Sequence, residues 1–349
     1  MSASMETRSI AGATTPPRSV AAVVSQADLR RAIASDELVL HYQPIVQLAS
    51  GQPVGVEALV RWQHPSGGLL APDDFVPAVA QTPVIAELTR WVLRNACAAG
   101  AQWPGWTVAV NVTARDLAGH ALVDSVQQAL AEVKFPAARL VLELTETALV
   151  QDLNQAAATL GELRELGAGV ALDDFGTGYS SMLYLRDLPV TAVKIDREFV
   201  GGLLQSGEDR AIVASLLMLA RTIGLAATAE GVETGQQARH LRSMGCQLAQ
   251  GYWWSRPQPP ERITDIYDNG LPVPGHEPRP SKRRTSGADP AIIQRVLRLL
   301  REGASLHTIA AALNAAGERT QHGSRWHAAT VAHLIAQNVR PQPEVGDRP

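Results

Sequence analysis

Apolar residues follow two spacings along this chain, and the two alternate. Short, largely apolar runs predict buried strands, and segments with an apolar residue every three or four positions predict amphipathic helices. Strands are predicted at 38–46, 54–62, 107–112, 139–144, 170–172, 192–195, 226–230 and 248–253. Helices are predicted at 26–35, 72–80, 83–101, 114–133, 148–166, 180–188, 209–223, 236–244 and 260–268. This alternation favours an α/β fold of the (β/α)8 TIM-like barrel type over an open, doubly wound sheet.

Charged and amide residues interrupt the predicted strands at equivalent places. Glu57 lies in the middle of an apolar run, where burying a carboxylate is costly without a cation or hydrogen bonds. In a barrel the carboxyl ends of the strands converge on one face, where active sites lie. Polar residues lie at or near such ends on seven strands: Glu57, Asn111, Glu143, Asp173, Asp174, Lys194, Glu230 and Gln250. The pattern predicts that these side chains form one site.

Two neighbouring carboxylates, Asp173 and Asp174, follow the predicted strand at 170–172. Like charges repel at such a position unless a cation lies between them. The next residues, 175–181 (FGTGYSS), form a glycine-hinged segment that is rich in hydroxyl groups. The stretch predicts a divalent-metal site with a gating loop. The alternative is a plain Asp-rich turn.

The predicted site contains five carboxylates, two amides and one lysine. Hard oxygen ligands suit Mg²⁺ or Mn²⁺, and the sequence has no Cys/His cluster of the kind that binds structural zinc. Because one divalent ion neutralises only two of the negative charges, we expect two metals per site. A metal pair clamps the attacking and leaving oxygens of a phosphoryl displacement. Lys194 would orient the water or neutralise the phosphate and Arg61 would hold another phosphate, so the residues predict a metal-dependent phosphoester hydrolase.

Several motifs, taken together, resemble those of EAL-domain cyclic di-GMP phosphodiesterases. They are YQPIV at 42–46, VEALVRWQHP at 56–65, VNVTARDL at 110–117, LELTET at 142–147, LDDFGTGYSS at 172–181, VKID at 193–196, AEGVET at 229–234 and QGYWWSRP at 250–257. The resemblance implies hydrolysis of the bacterial second messenger cyclic di-GMP to 5′-pGpG, a requirement for Mg²⁺ or Mn²⁺, and a homodimer. It also implies an EAL-type barrel whose first strand runs antiparallel to the others.

The same resemblance implies a set of metal ligands. The first metal would be bound by Glu57, Asn111, Glu143 and Asp173. The second metal and its water would be bound by Asp174 and Glu230.

The remaining implied roles concern the water, the substrate and the loop. Lys194 would contact the attacking water, with Glu230 as the base. Gln250 would complete the site. The dinucleotide would be held by Gln43, Leu59 and Arg61. Glu146 would anchor the loop at 172–181 without binding a metal.

Composition adds an expected location. Hydrophobic residues make up 46% of the chain and charged residues 19%, which is typical of a globular protein. Cys97 and Cys246 are too few for a disulfide framework and fit a reducing cytoplasm. No apolar run is long enough for a membrane span, so we expect a cytoplasmic protein. The histidines show no metal-ligand spacing, and His41 and His64 are expected to be structural.

Charge is distributed unevenly between the two parts of the chain. Residues 271–349 contain 11 Lys and Arg against 6 Asp and Glu, whereas residues 1–270 contain 20 against 28. An acidic body with a basic tail suggests a second function that binds a polyanion. We expect a disordered tail at 1–25, the barrel at 26–270, a basic Pro/Gly-rich linker at 271–288, a helical unit at 289–340 and a disordered tail at 341–349.

The unit at 289–340 is predicted to contain three short helices. Asp289 and Pro290 are typical of a helix start, and later helices are predicted at 305–315 and 328–337. The unit has the size of a helix-turn-helix domain and resembles a small domain of serine recombinases. DNA contacts would then come from Arg319, His322, Arg325 and His327. The alternatives are a packing or partner-binding appendage and, for the basic residues 282–284, a solvated linker.

Three functions stay open at this point. The first is an active cyclic di-GMP phosphodiesterase, and the second is a non-catalytic cyclic di-GMP receptor that acts as a DNA-binding regulator. The intact set of acids favours the enzyme, because a receptor tolerates the loss of metal ligands. A third, hydrolysis of a different cyclic dinucleotide, would be settled by a panel of substrates.

Overall fold

The structure is a computed structural model. It describes residues 24–145, 152–176, 185–271, 290–301, 304–316, 318, 326, 331 and 334. The chain divides into two compact units, Met1–His276 and Glu277–Pro349, and each is described by itself. Within the described ranges, no helix combines the length and apolarity needed to cross a membrane.

The first unit consists of strands and helices that alternate along most of the chain. Its strands are β1 (Leu38–Gln47), β2 (Gln52–His64), β3 (Gly68–Leu70), β4 (Thr107–Asn111), β5 (Leu140–Thr145), β6 (Gly169–Phe175), β7 (Ala192–Ile195), β8 (Ala226–Ala229) and β9 (Leu248–Ala249). Its helices are α1 (Gln26–Ala34), α2 (Pro72–Val79), α3 (Val84–Gly100), α4 (Ala121–Val133), α5 (Leu153–Glu165), α6 (Arg197–Gly202), α7 (Gly207–Thr222), α8 (Gly235–Ser243) and α9 (Pro260–Asn269).

Eight of these strands close into a barrel. Around the ring the order is β1, β9, β8, β7, β6, β5, β4 and β2, and β2 pairs again with β1. Strand β1 runs antiparallel to both of its neighbours, and the other pairs in the ring are parallel. Strand β3 extends β2 as a hairpin outside the ring. The predicted TIM-like α/β barrel with an antiparallel first strand is confirmed.

Alternation along the strands separates a packing face from a polar face. On β5, the side chains of Leu140 and Leu142 point to one face and are fully buried in the core. Glu143 lies between the alternate positions of that face, so its side chain points to the other one. Residues directly opposite one another in adjacent strands share a face, and Asn111 lies opposite Glu143. The polar residues at the strand ends therefore lie on one face of the sheet because the side-chain period of a strand is two.

Two helix caps fix the starts of the helices that follow the site strands β7 and β8. Asp196 follows β7, and its carboxylate accepts a hydrogen bond of 2.6 Å from the backbone N–H of Glu198 at the start of α6. Thr234 caps α8, where its hydroxyl accepts from the N–H of Gln237 at 3.2 Å. Such caps satisfy N–H groups that have no partner within the helix, and so define where each helix begins.

The structure differs from the predicted elements at several boundaries. Strand β6 continues to Phe175, beyond the predicted end at 172, whereas β9 ends at Ala249 instead of 253. Helix α4 begins at Ala121, not at 114, because a turn closed by the Asp116 carboxylate precedes it. The pattern also missed β3 and α6, which are only 3 and 6 residues long.

The second unit has its own small hydrophobic core. It contains α10 (Pro290–Arg301) and α11 (Leu306–Ala315). Core residues from three parts of the unit pack together: Ile292, Val296, Ile309, Ala310, Leu313, Trp326, Val331 and Leu334. The Asn314 side chain holds the backbone of Trp326, donating to its carbonyl at 2.7 Å and accepting from its N–H at 2.9 Å. Val331 and Leu334 are helical, and the rest of the predicted helix at 328–337 lies outside the described residues.

Candidate active site

The predicted site residues converge at one end of the barrel. Glu57 lies within β2, whereas the others lie at the ends of their strands or directly after them: Asn111, Glu143, Asp173, Asp174, Lys194, Glu230 and Gln250. Apart from Asp174, they follow the alternation that turns their side chains to one face. The cluster therefore arises from strand register, which is the feature that the sequence pattern could predict.

The Lys194 side chain lies at the centre of the cluster and is only 2% exposed. Its ammonium Nζ contacts Glu230 Oε1 at 2.6 Å and Glu143 Oε2 at 2.7 Å. It also lies 3.1 Å from Asp173 Oδ2 and 3.8 Å from Glu57 Oε2. One buried cation thus faces four carboxylates from four different strands or strand ends.

Glu57 connects this ion-pair cluster to a line of amide side chains. Its Oε1 accepts from Asn111 Nδ2 at 2.7 Å, and its Oε2 accepts from Gln250 Nε2 at 2.6 Å. The same Gln250 amide donates to Gln43 Oε1 at 2.9 Å, and Gln43 donates to the carbonyl of Ser255 at 3.0 Å. These bonds fix the Glu57 carboxylate from both sides and connect it to the loop that follows β9.

Three carboxylates of the cluster, Glu57, Glu143 and Glu230, have displaced pKa values because they are buried close to other charged groups. Burial raises the pKa of Glu143 well above its usual range, although Lys194 opposes the shift. Burial also raises the pKa of Glu230 to about 7. For Glu57, burial is outweighed by Lys194 and by hydrogen bonds from Gln250 and Asn111, so its pKa is lowered. One ammonium does not balance this concentration of negative charge.

Asp174 reaches the site by a different route from its neighbours. It has a φ of 53°, and the register of β6 shifts against β7 between Leu172 and Phe175. Left-handed backbone is uncommon outside glycine and is tolerated best by Asn and Asp. Its N–H donates to Asp173 Oδ1 at 3.0 Å. This local distortion lets two consecutive carboxylates serve one site, where strict alternation would place them on opposite faces.

Asp196 belongs to this region and was not among the predicted site residues. Its carboxylate is hydrogen-bonded to Asp174, and burial, Asp173 and Asp196 together raise the pKa of Asp174 to about 6. Asp196 directly follows β7, just as Glu230 directly follows β8. Glu230 was selected because it is a polar residue at the end of a predicted strand. The same criterion, applied to VKID at 193–196, would have selected Asp196.

The predicted substrate-binding residues lie next to the cluster on β1 and β2. Gln43 lies opposite Glu57 in the antiparallel pair, so both side chains share the inner face. Leu59 and Arg61 follow Glu57 at intervals of two and lie on that face as well. The half-buried Arg61 donates to the carbonyl of its neighbour Val60 at 2.8 Å. Burial lowers the pKa of its guanidinium, and the nearby negative charge of Glu57 opposes that shift.

The predicted loop anchor and DNA contacts belong to segments outside the described part of the chain. Glu146, most of the 175–181 loop and the four predicted DNA contacts (Arg319, His322, Arg325 and His327) lie outside the described residues. The start of the loop is described: Phe175 is buried, and Gly176 has a φ of 104°. A Cβ on Gly176 would meet Leu216 at 3.0 Å and Phe199 at 3.1 Å. Positive φ and close packing both favour glycine as the first residue after β6.

The donor chemistry of the cluster fits a divalent cation. Its donors are carboxylate and amide oxygens, and Gln250 Oε1 is buried with no hydrogen-bond donor among the described residues. Within those residues, no group of three Asp, Glu, His or Cys side chains is already arranged around a single metal position. Lys194 lies among the carboxylates.

Comparison with known proteins identifies relatives of the barrel. A family model for the EAL domain matches residues 26–257. The chain is 42% identical over 241 residues to a protein of Pseudomonas aeruginosa named bifunctional diguanylate cyclase/cyclic di-GMP phosphodiesterase MucR, covering 68% of this chain and 35% of MucR. It is 45% identical over 239 residues to the cyclic di-GMP phosphodiesterase NbdA of the same organism, covering 66% of this chain and 30% of NbdA. The chain thus spans about a third of the length of these curated relatives.

A solved structure agrees with the sequence matches. The structure titled PaMucR phosphodiesterase, c-di-GMP complex, superposes with a TM-score of 0.65 at 42% identity, covering 68% of this chain and 98% of that one. The family match stops at residue 257 and does not extend into the second unit. Because the match covers more than half of the chain, this chain belongs to the EAL domain family.

Proposed function

We propose that this protein hydrolyses cyclic di-GMP to linear 5′-pGpG with the help of divalent metal ions. The observation that carries the proposal is the Lys194 cluster, in which one buried ammonium faces four carboxylates at the end of an EAL-family barrel. Every position at which the family resemblance implies a metal ligand carries an Asp, Glu or Asn in this sequence. This completeness favours an enzyme over a non-catalytic receptor.

The substrate class follows from the relatives. MucR and NbdA are both named cyclic di-GMP phosphodiesterases, and the superposed structure is titled as a complex with cyclic di-GMP. In this chain Gln43, Leu59 and Arg61 would hold the dinucleotide, since they line the face that leads to the cluster. A panel of cyclic dinucleotides separates cyclic di-GMP from the alternative substrates.

Two metal ions, Mg²⁺ or Mn²⁺, would be bound by the oxygen donors of the cluster. Glu57, Asn111, Glu143 and Asp173 would bind the first, and Asp174 and Glu230 the second. When bound, such ions lower the pKa of water and stabilise the charge that develops on the phosphate. The excess of carboxylates over ammonium supports this assignment, as does Gln250 Oε1, which has no hydrogen-bond donor within the described part of the chain.

The residues of this chain then have distinct roles in the hydrolysis. Glu230 would accept the proton of the attacking water, and Lys194 would contact that water and orient it. The water oxygen bonds to phosphorus, the bond from phosphorus to the ribose 3′-oxygen breaks, and that oxygen takes up a proton. Asn111 and Gln250 would hold Glu57 in place throughout, as their hydrogen bonds do in the structure.

Activity with and without metal tests the proposal. The full chain is incubated with cyclic di-GMP in the presence of Mn²⁺, and the consumption of substrate is followed by chromatography. Activity should be lost in EDTA, return when Mn²⁺ is restored, and be absent in Glu57→Gln. Substrate that stays intact with the wild-type protein and excess Mn²⁺ or Mg²⁺ would favour the receptor function.

We also propose that the second unit couples the barrel to duplex DNA. The exposed Arg298 on α10 and the excess of basic residues in 271–349 support contact with a polyanion. In a gel shift with the full chain, affinity should fall steeply with salt and fall further in the double variant Arg319→Ala/Arg325→Ala. Arg262→Ala, an exposed change on the barrel, is the control. Binding that is absent or independent of salt would contradict the proposal.

Three expectations from the sequence stay predictions. They are the homodimer, the cytoplasmic location and the anchoring of the 172–181 loop by Glu146. The resemblance of the second unit to a recombinase-associated domain is likewise a prediction.

A further inference from the structure

His41 lies on the same face of β1 as the predicted substrate-binding residues. In the antiparallel pair formed by β1 and β2, Gln43 lies opposite Glu57 and His41 lies opposite Leu59. Directly opposite residues of an antiparallel pair project to the same side of the sheet. His41 therefore lies one layer from the Glu57 carboxylate, in the direction of Arg61.

The layers on β1 and β2 change in character along this direction. Gln43 is 7% exposed, and its amide donates to the carbonyl of Ser255 and accepts from Gln250. The next layer contains the half-buried pair of His41 and Leu59. A polar ring at this depth lies between the buried cluster and solvent, which is where a bound substrate would lie.

The imidazole of His41 has unused hydrogen-bonding capacity. Among the described residues, neither of its ring nitrogens makes a hydrogen bond to the protein. This contrasts with His64, whose Nδ1 accepts from the N–H of Gly67 at 3.0 Å and so has a structural role. A half-buried polar group without a protein partner is available to a ligand.

Charge on the neighbouring elements indicates which part of a ligand suits His41. Burial and Arg61 on β2 lower the pKa of His41, and the charge of Glu261 on α9 opposes the shift. The ring is therefore neutral at neutral pH, with one N–H donor and one acceptor nitrogen. A neutral donor–acceptor pair matches the edge of a purine, whereas Arg61 already supplies a positive charge for a phosphate.

We propose that His41 hydrogen-bonds the edge of a purine base of the cyclic dinucleotide and contributes to the choice between guanine and adenine. The inference rests on the proposed function and adds a substrate-contacting residue to it. Guanine and adenine present different donors and acceptors, so a fixed imidazole does not serve both equally. His41 was expected to be structural, and the absence of hydrogen bonds from its ring nitrogens to the described residues argues against that expectation.

Steady-state kinetics of the full chain test this proposal. Wild type is compared with His41→Ala, with His41→Gln, which keeps a donor and an acceptor, and with His120→Ala, which removes an exposed histidine far along the chain. With cyclic di-GMP and Mn²⁺, His41→Ala should raise KM about threefold to tenfold, as expected for one neutral hydrogen bond, with kcat within about twofold of wild type. The preference for cyclic di-GMP over cyclic di-AMP should fall by a similar factor. His41→Gln should recover part of the loss.

The outcomes separate this inference from the function on which it rests. If wild type cleaves cyclic di-GMP while His41→Ala and His120→Ala have the same KM and the same preference, the His41 proposal is wrong. A fall in kcat at constant KM also overturns it. If His41→Ala does not fold, His41→Gln is compared with wild type. A preference for cyclic di-GMP over cyclic di-AMP that equals that of wild type would then overturn the proposal. If wild type does not cleave, the proposed function fails, and equilibrium binding of cyclic di-GMP to the same variants tests His41.

Discussion

Replacing Lys194 tests the charge balance on which the site depends. Lys194→Met removes the ammonium but keeps an unbranched side chain of similar length in the barrel. It leaves Glu57, Glu143, Asp173 and Glu230 facing one another without the cation that now lies 2.6–3.8 Å from their oxygens. Breaking a buried pair by removing one partner costs about 3–5 kcal/mol of unfolding free energy. Glu143 and Glu230 already have raised pKa values, so they can take up protons when the ammonium is removed. This proton uptake limits the cost to that range.

Divalent metal should then replace part of what the lysine supplied. A ligand that binds only the folded state adds about 2.7 kcal/mol of stability at 100 times its Kd. The variant should gain more than wild type from Mn²⁺, because the lysine no longer competes for the carboxylates. The deficit shrinks by the difference between the two gains, so a variant that binds Mn²⁺ tenfold more tightly than wild type should recover about 1.4 kcal/mol in excess Mn²⁺.

Urea unfolding in EDTA and in Mn²⁺ measures both quantities. Lys134→Met is the matched control, since Lys134 is exposed at the end of α4 and lies outside the site. The reasoning is refuted if the two variants lose the same stability in EDTA. A Lys194→Met deficit that Mn²⁺ leaves unchanged would refute the metal assignment specifically.

Three further changes test packing beside the site, at the opposite end of the barrel and in the second unit. Gly251→Ala should lose soluble, folded protein, because a Cβ at this position would collide with the backbone N and O of Val232; a normal Tm would contradict the close approach. Arg139→Ala should lower the free energy of unfolding in urea by about 1–3 kcal/mol, because the Arg139 guanidinium donates at 2.6–2.8 Å to three backbone carbonyls at and after the end of α3. Arg139→Lys should recover little of this stability. Asn314→Ala should destabilise the second unit by about 1–3 kcal/mol, since it removes the hydrogen bonds to the backbone N–H and carbonyl of Trp326. Trp fluorescence during unfolding should report this loss. Equal hydrolysis rates of the variant and wild type should show that the barrel is unaffected.

The barrel was predictable because its signals are local. Apolar runs and helical spacing are read within short windows, and the carboxyl-end rule then brings Asn111, Glu143 and Lys194 together without any coordinates. Their convergence in the structure is a consequence of strand register alone. The antiparallel first strand came from the resemblance and not from the pattern, because alternation does not encode strand direction.

Other features depend on contacts that a sequence pattern does not contain. The left-handed backbone at Asp174 follows from the register shift beside β7, so alternation would have assigned its side chain to the wrong face. The central position of Lys194 among four carboxylates depends on side-chain reach across several strands. The close approach of Gly251, just after β9, to the backbone of Val232 is likewise a contact that a local pattern does not contain.

The identity of the product is the most direct test of the central claim. The full chain is incubated with cyclic di-GMP and Mn²⁺ in ¹⁸O-labelled water, and the product is analysed by mass spectrometry. The account predicts linear 5′-pGpG with a single ¹⁸O atom on its terminal 5′-phosphate. Unchanged cyclic di-GMP, or a label on the ribose hydroxyl, would contradict it.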